Sequence, residues 1–304
     1  MRLIPATLAT ITLVYFSTLA FAADITFQKT LPVSGPTALT VCNNSGTVHV
    51  TGVDGSKFQV SAIVHKSNWH SMANTDEMKG VAASPPIQQT GNAIHVGDKN
   101  TCGADVLHNI DIDYEISLPK NSTIIAKSGA GTIHVESIGG FVHAMTGSGD
   151  VVVNGIGTDS RLVAESGNLD IQGAHGTLLA RSGGGNVTIR DSDLTDSRVE
   201  TNSGNITSTN LKGGIRVNTG SGNLSMSGLP TADWEMRTGT GTIQFHADAG
   251  AKFELDAETG SGTIDSTLPS PLSGHITKGV LGGPVNGGGP EVKMYTGDGN
   301  ITLQ

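Results

Sequence analysis

Residues 183–226 read GGGNVTIRDSDLTDSRVETNSGNITSTNLKGGIRVNTGSGNLSM, and within them the same short phrase occurs three times. A glycine turn closes at Gly185, Gly204 and Gly222. Each closing glycine is followed by Asn, then by an aliphatic residue, Val187, Ile206 or Leu224, and then by a small polar one, Thr188, Thr207 or Ser225. Outside this stretch the phrase continues in both directions. The closing glycines of the central run are Gly131, Gly149, Gly167, Gly185, Gly204, Gly222, Gly241 and Gly262, in steps of 18, 18, 18, 19, 18, 19 and 21 residues. A fixed period of this size marks a solenoid, in which one supersecondary unit stacks on copies of itself.

Two places after each closing glycine stand Ile133, Val151, Leu169, Val187, Ile206, Leu224, Ile243, Ile264 and, in the last unit, Ile301, without a polar exception. Side chains alternate across a strand, so this column faces inward and the next residue, which includes Thr188, Thr207, Ser225 and Gln244, faces outward. A second strand fills the other half of each unit, with Leu162, Leu178, Val199, Val217, Met236, Leu255 and Met294 as its expected inward residues. The expectation is an all-β, single-chain, β-helix-like β-solenoid with coils of about 18 residues and an N-terminal β cap. Glycine is expected at the corners for its tolerance of positive φ or of close chain approach. The residues just after the corners, Asn168, Asn186, Asn205 and Asn223 among them, are expected to bond the turn backbone and to form ladders along the stack.

Composition supports this reading. Gly accounts for 42 of 304 residues, aromatics for 4% and hydrophobic residues for 36%, so the core is a thin aliphatic column. A formal net charge of -9, with no basic stripe visible along the sequence, argues against a nucleic-acid partner. Met1 and Arg2, the apolar Leu3–Leu19 and the small-x-small Ala20-Phe21-Ala22 read as a signal peptide, residues 1–22, cleaved after Ala22. No further long apolar segment follows, so the mature chain is expected to be exported, periplasmic or at the cell surface, and not membrane-spanning. Cys42 and Cys102 are then expected to pair, since an exporting compartment lets a disulfide persist. The chain-entropy model makes such a loop closure worth roughly 4 kcal/mol.

The remaining domain boundaries follow. Residues 23–127 interrupt the repeat and read as an N-terminal β cap, with strands at Lys57–His65, Ala93–Val96 and Ile110–Leu118 and a long polar loop over Ser67–Gly91. Residues 128–304 form the repeats and a closing coil, with a Pro- and Gly-rich excursion at Ser266–Gly289 before that coil either caps the rod or extends the stack.

Two stretches carry a resemblance. Ile110–Gly140, IDIDYEISLPKNSTIIAKSGAGTIHVESIGG, resembles the lead-in strand, LPK step and first glycine turn of the bacterial putative-adhesin family, a domain-of-unknown-function group of exported β-solenoid proteins. Gly282–Leu303, GGPVNGGGPEVKMYTGDGNITL, resembles that family's ending. The resemblance covers roughly Asp24–Gln304 and implies the fold and an exported location. It brings no catalytic residues.

Candidate chemistry is sparse. Calcium-binding nonapeptide repeats place carboxylates in their turns, but here only Asp150 and Asp298 stand there, too few oxygens for the ion. His65 and His70, near Trp69 and Met72, lack a third ligand. His49, His95 and His134, each in an I/V-H-V context, read as outward solvated imidazoles. A polysaccharide-cleaving β-helix enzyme needs converging acids; Glu165 with Glu200, or Asp191, Asp193 and Asp196, could cluster on an edge, whereas Asp170 and Asp265 lie far apart. HExxH and GxSxG motifs are absent, and Gly282–Gly289 lacks the residues of a phosphate loop. The expectation is therefore a non-enzymatic binding or structural module without metal or cofactor. Its expected binding face is Thr188, Thr207, Ser225 and Gln244, and its partner a glycan or another envelope protein.

Overall fold

The computed structural model describes residues 24–66, 75–97, 110–269, 272 and 274–304. The expected signal segment, Cys102, Trp69, His70 and Met72 lie outside the described residues. Within them the chain is mostly strand, wound into rungs that stack into two facing sheets. The strand that precedes each glycine turn, such as Val142–Thr146, belongs to a leading sheet, and the strand that follows it, such as Val151–Ile156, to a trailing sheet. Neighbouring rungs pair in parallel with partners 18 or 19 residues apart, as in Val151↔Leu169 and Val187↔Ile206.

Between the sheets lies the aliphatic file. Ile133, Val151, Leu169, Val187, Ile206, Leu224, Ile243, Ile264 and Ile301 are all buried, as are Leu162, Val199, Val217, Met236 and Met294 of the leading sheet. Leu178 and Leu255 are also buried but sit two places earlier on their strands, since Leu162 pairs with Ala180 and Met294 with Ala257. Toward the C-terminal rungs the file widens into aromatics. Trp234, Phe245 and Phe253 pack edge to face at 5.6 and 5.7 Å, and the Trp234 indole N–H donates to the Gly213 carbonyl at 2.7 Å.

Rung order departs from chain order at both ends. The closing coil, Glu291–Asp298 and Ile301–Leu303, does not sit last in the stack. It intercalates, pairing with Leu224–Thr240 and Ile243–Ala247 on one side and with Phe253–Ser266 on the other. The expected excursion between them contains a strand, Gly274–Val285, which pairs antiparallel with Phe253–Ser266 along the last edge. At the opposite end Ala38–Ser45 and Val48–Val53 are inserted in the same way, between Ala93–Gly97 or Ile110–Pro119 and the first regular coil. Antiparallel strands finish that end too: Ile87–Thr90 beside Ala93–Gly97, and Ile25–Pro32 beside Lys57–Lys66. An open sheet edge presents unpaired N–H and C=O groups; the intercalation puts both coils inside the ladder and leaves antiparallel strands outermost.

The long loop expected over Ser67–Gly91 is corrected in its described part. A helix spans Thr75–Ala83, followed by the strand Ile87–Thr90. Met78, Val81 and Ala82 at helical spacing supply one apolar stripe against the core, and Asp76 and Glu77 in the first turn complement the helix dipole. With little more than two turns, so short a pattern is easily hidden among polar residues. No helix of the described residues is long and apolar enough to cross a membrane.

Candidate functional site

The turn that closes each rung is built by three stacked columns. In the glycine column each residue lies directly over the carbonyl of the rung before. A β-carbon added at Gly185 would stand 2.1 Å from the Gly167 oxygen, and one at Gly204 would stand 2.0 Å from that of Gly185. Neither residue has a positive φ, so at these positions close approach, not left-handed backbone, excludes side chains. Left-handed residues form a separate column at the opposite corner: Ser137, Gly155, Gly173, Asp191 and Asn210, with φ between 50° and 71° for this group. Asp and Asn tolerate this conformation, and Asn210 donates its side-chain amide to Asp191 at 2.9 Å.

The asparagine column acts as expected. The Asn168, Asn186 and Asn205 side-chain oxygens accept the backbone N–H of Asn186, Asn205 and Asn223 at 2.9, 2.9 and 2.8 Å, and Asp150 accepts that of Asn168 at 2.7 Å. These oxygens are thereby committed to the stack. A third column is buried: Thr146, Ser182, Thr201, Thr219, Thr238, Thr296 and Thr259 each donate a hydroxyl to the carbonyl of a closing glycine in a neighbouring rung. Ala164 interrupts it.

On the outer surface of the trailing sheet, Thr188, Thr207, Ser225 and Gln244 occupy consecutive rungs in direct register, Thr188↔Thr207↔Ser225↔Gln244. The row continues through Asp170 on one side and Thr302 on the other. Asp170 is engaged by Arg190.

The carboxylates considered for catalysis do not converge. Glu165 and Glu200 lie two rungs apart; Glu200 pairs with Arg198. Asp191 holds the left-handed corner, Asp193 lies 4.0 Å from Lys212, and Asp196 is 3.5 Å from Arg216. Among the described residues no three His, Cys, Asp or Glu side chains converge as metal ligands. Cys42 is buried within the strand Ala38–Ser45.

Three features escape the sequence reading. First, His65 is held by two carboxylates. It lies on Lys57–Lys66, its Nδ1 3.0 Å from Asp24 and its Nε2 2.8 Å from Asp113. Burial works against its protonated form, but the hydrogen bonds to Asp113 and Asp24 and their charges outweigh that and raise its pKa. Second, His49 is not simply solvated: it meets Glu115 at 3.1 Å and Glu136 at 3.7 Å, and its ring lies 5.7 Å from that of His134. A cavity of about 890 Å³ opens there, lined among others by Thr47, His49, Asp113, Glu115 and His134. The Nε2 of His95 is buried without a hydrogen-bond partner, contrary to the expectation of a solvated ring.

Third, arginines distant in the sequence align. Parallel register gathers Arg161, Arg181, Arg198, Arg216 and Arg237 on the outer surface of the leading sheet, in two adjacent columns. Glu200 and Glu235 stand in the same columns, so the row is of mixed charge. The arginines are scattered singly along the sequence, and only their spacing near the repeat period signals that they will line up.

The Toastrack family model, DUF4097, matches residues 71–304. The chain belongs to this family. Among solved structures it is similar to a putative cell adhesion protein from Clostridium sporogenes, at 14% identity over 92% of this chain and 99% of that one, with a TM-score of 0.23. It is also similar to a putative adhesin from Bacteroides fragilis, at 11% identity over 93% of this chain and 99% of that one, with a TM-score of 0.43. No curated protein matches it. As a Toastrack protein the chain has a β-solenoid-like fold.

Proposed function

We propose that this Toastrack chain is an exported, non-enzymatic module that works by presenting a rigid, periodic surface, adhesin-like, to a partner in the envelope or outside the cell. The observation that carries this reading is the in-register row Thr188, Thr207, Ser225 and Gln244, small hydrogen-bonding groups repeated at the rung spacing of about 4.8 Å. Their backbones are fixed by pairing on both sides, so little entropy is lost when a repeating polar partner, a glycan or another envelope protein, lies along them. In this reading residues 1–22 are a cleaved signal peptide and residues 23–127 a cap that closes one end of the stack. Residues 128–304 carry coils of about 18 residues, and a Cys42–Cys102 disulfide pins the cap. Periplasm and cell surface both fit.

The test is a pull-down from envelope extract with the processed chain, alongside a variant carrying Thr188→Lys, Thr207→Glu and Ser225→Lys. Capture of a defined partner by the parent and not by the variant, with circular dichroism unchanged, supports the reading. Equal capture by a folded variant rejects the face, and turnover of a polysaccharide by the purified protein rejects the non-enzymatic assignment.

A further inference from the structure

The row Thr188, Thr207, Ser225 and Gln244 does not end at Asp170. In direct register it goes on to Val152, His134 and His49, and then to Glu115, Ser61 and Gln28. One track of outward side chains thus crosses the outer surface of the trailing sheet from the cap to the C-terminal rungs. The cavity of about 890 Å³ opens at its cap end, where Gln28, Ser61, Glu115, His49 and His134 all line it. All five are exposed or half-buried. Neighbouring strands stand about 4.8 Å apart, so these five positions span roughly 19 Å.

The charges at this end are mixed and already engaged with one another. Two carboxylates, Asp113 and Glu115, one lysine, Lys29, and the two imidazoles of His49 and His134 line the space, so neither sign dominates. His49 holds Glu115 at 3.1 Å and Glu136 at 3.7 Å. Asp113 is held by His65 at 2.8 Å and by the Thr47 N–H at 2.6 Å, and His65 holds Asp24 at 3.0 Å as well. What the wall offers a ligand is donors beside acceptors: the Gln28 amide, the Ser61 hydroxyl, ring nitrogens and the Glu115 carboxylate. Apolar surface completes it, from Phe27 and Tyr114, packed edge to face at 6.4 Å, and from Ile63 and Pro85.

We infer that this cavity receives the end of a neutral glycan chain whose following sugars lie along the track toward Thr188, an inference that rests on the reading of that row as the binding face. A sugar presents hydroxyls that donate and accept at once, with C–H surface between them, and the wall supplies partners for each. Other polymers match the track less well. It runs across the strands on the face of the sheet, where the backbone N–H and C=O groups are spent on neighbouring strands, so a peptide finds no edge to extend through its main chain. Glu115 and Asp170 on the track and the net charge of -9 oppose a polyanion. The cavity volume lies at the upper end of the range for ligand sites, enough for a few sugar rings.

Calorimetric titration of the processed chain tests it. The probes are glucose, mannose, galactose and N-acetylglucosamine oligomers of increasing length, with oligogalacturonate and heparin fragments as acidic counterparts. Binding of at least one neutral series is expected, tightening with length as the track fills. Ser61→Arg, which sets a long side chain in the cavity, should abolish binding of the short oligomers. Glu115→Ala, which removes a charged acceptor, should weaken it about tenfold or more, and carries the test where Ser61→Arg does not fold. The variant at Thr188, Thr207 and Ser225 should weaken only the long oligomers; circular dichroism checks each fold. No binding of any neutral series, or tighter binding of the acidic ones, overturns the inference, and the reading of the row survives that result if the row variant still loses its partner in the envelope pull-down. Binding untouched by Ser61→Arg and Glu115→Ala but lost in the row variant also overturns it, and leaves the row as a glycan face without the cavity.

Discussion

Gly184 and Gly185 are neighbours in one turn, yet an alanine should have opposite consequences at the two. At Gly185 the new β-carbon meets the Gly167 oxygen at 2.1 Å, the Gly167 carbonyl carbon at 2.5 Å and the Asn168 nitrogen at 2.9 Å, all backbone atoms of the rung before. Ordinary contact begins near 3.4 Å, so the two rungs must part locally by roughly 1 Å against a normal spacing of about 4.8 Å. That displacement falls on the bonds that tie these rungs, Asn186 N–H to the Asn168 side chain at 2.9 Å and Leu169 N–H to the Asn186 carbonyl at 2.9 Å. Losing most of both costs about 2 kcal/mol, and overpacking adds about 1–3 kcal/mol. Gly185→Ala should therefore destabilise by about 3–5 kcal/mol, a large part of a typical domain's stability. At Gly184 nothing lies within 4 Å and φ is not left-handed, so Gly184→Ala should be neutral or stabilise by up to about 1 kcal/mol through the unfolded chain. Urea unfolding followed by circular dichroism gives both values. If Gly185→Ala unfolds within about 0.5 kcal/mol of the parent, or if both variants lose equally, close stacking is not the reason for glycine at this corner.

Two further outcomes follow from the columns and the histidine network. Removing a hydroxyl with Thr201→Val deprives the Gly185 carbonyl and the Gly204 N–H of a buried partner and should cost about 1–3 kcal/mol. Supplying the missing hydroxyl with Ala164→Ser should gain about 1 kcal/mol; thermal unfolding of the pair checks both signs. Because the pKa of His65 is raised above its ordinary 6.5, its bridges to Asp24 and Asp113 stabilise fully below 6.5 and are lost as pH rises through the higher folded value. Stability should decline across that window and His65→Gln should flatten the decline; a pH-independent difference between parent and variant would refute it.

Much of the fold was legible because burial acts locally and repeats. An aliphatic residue two places after every closing glycine can satisfy its hydrophobicity only if each coil turns that place inward, and the structure buries all nine. The asparagine ladder was legible for the same reason, since one residue type at a fixed offset must meet its copies once the coils stack. The buried hydroxyl column was present in the sequence three places before most closing glycines, but Ser and Thr are so common in turns that their direction, inward, could not be read from identity alone.

What only the tertiary structure decided is which coil lies on which. Every coil offers its neighbours nearly the same two surfaces, so chain order is one of several packings with similar local contacts. Closing the exposed edges selected another, in which Glu291–Leu303 lies inside the stack and Gly274–Val285 turns antiparallel outside it. The charge pattern is likewise a property of the stack. Arg161 and Arg181 are single residues in the sequence, 20 places apart; parallel register sets them on adjacent strands of one face, with Glu165 on the same face. The period and the inward file follow from the sequence through local alternation and burial; rung order and the alignment of the arginines arose from pairings between residues far apart in the chain, which no local pattern encodes.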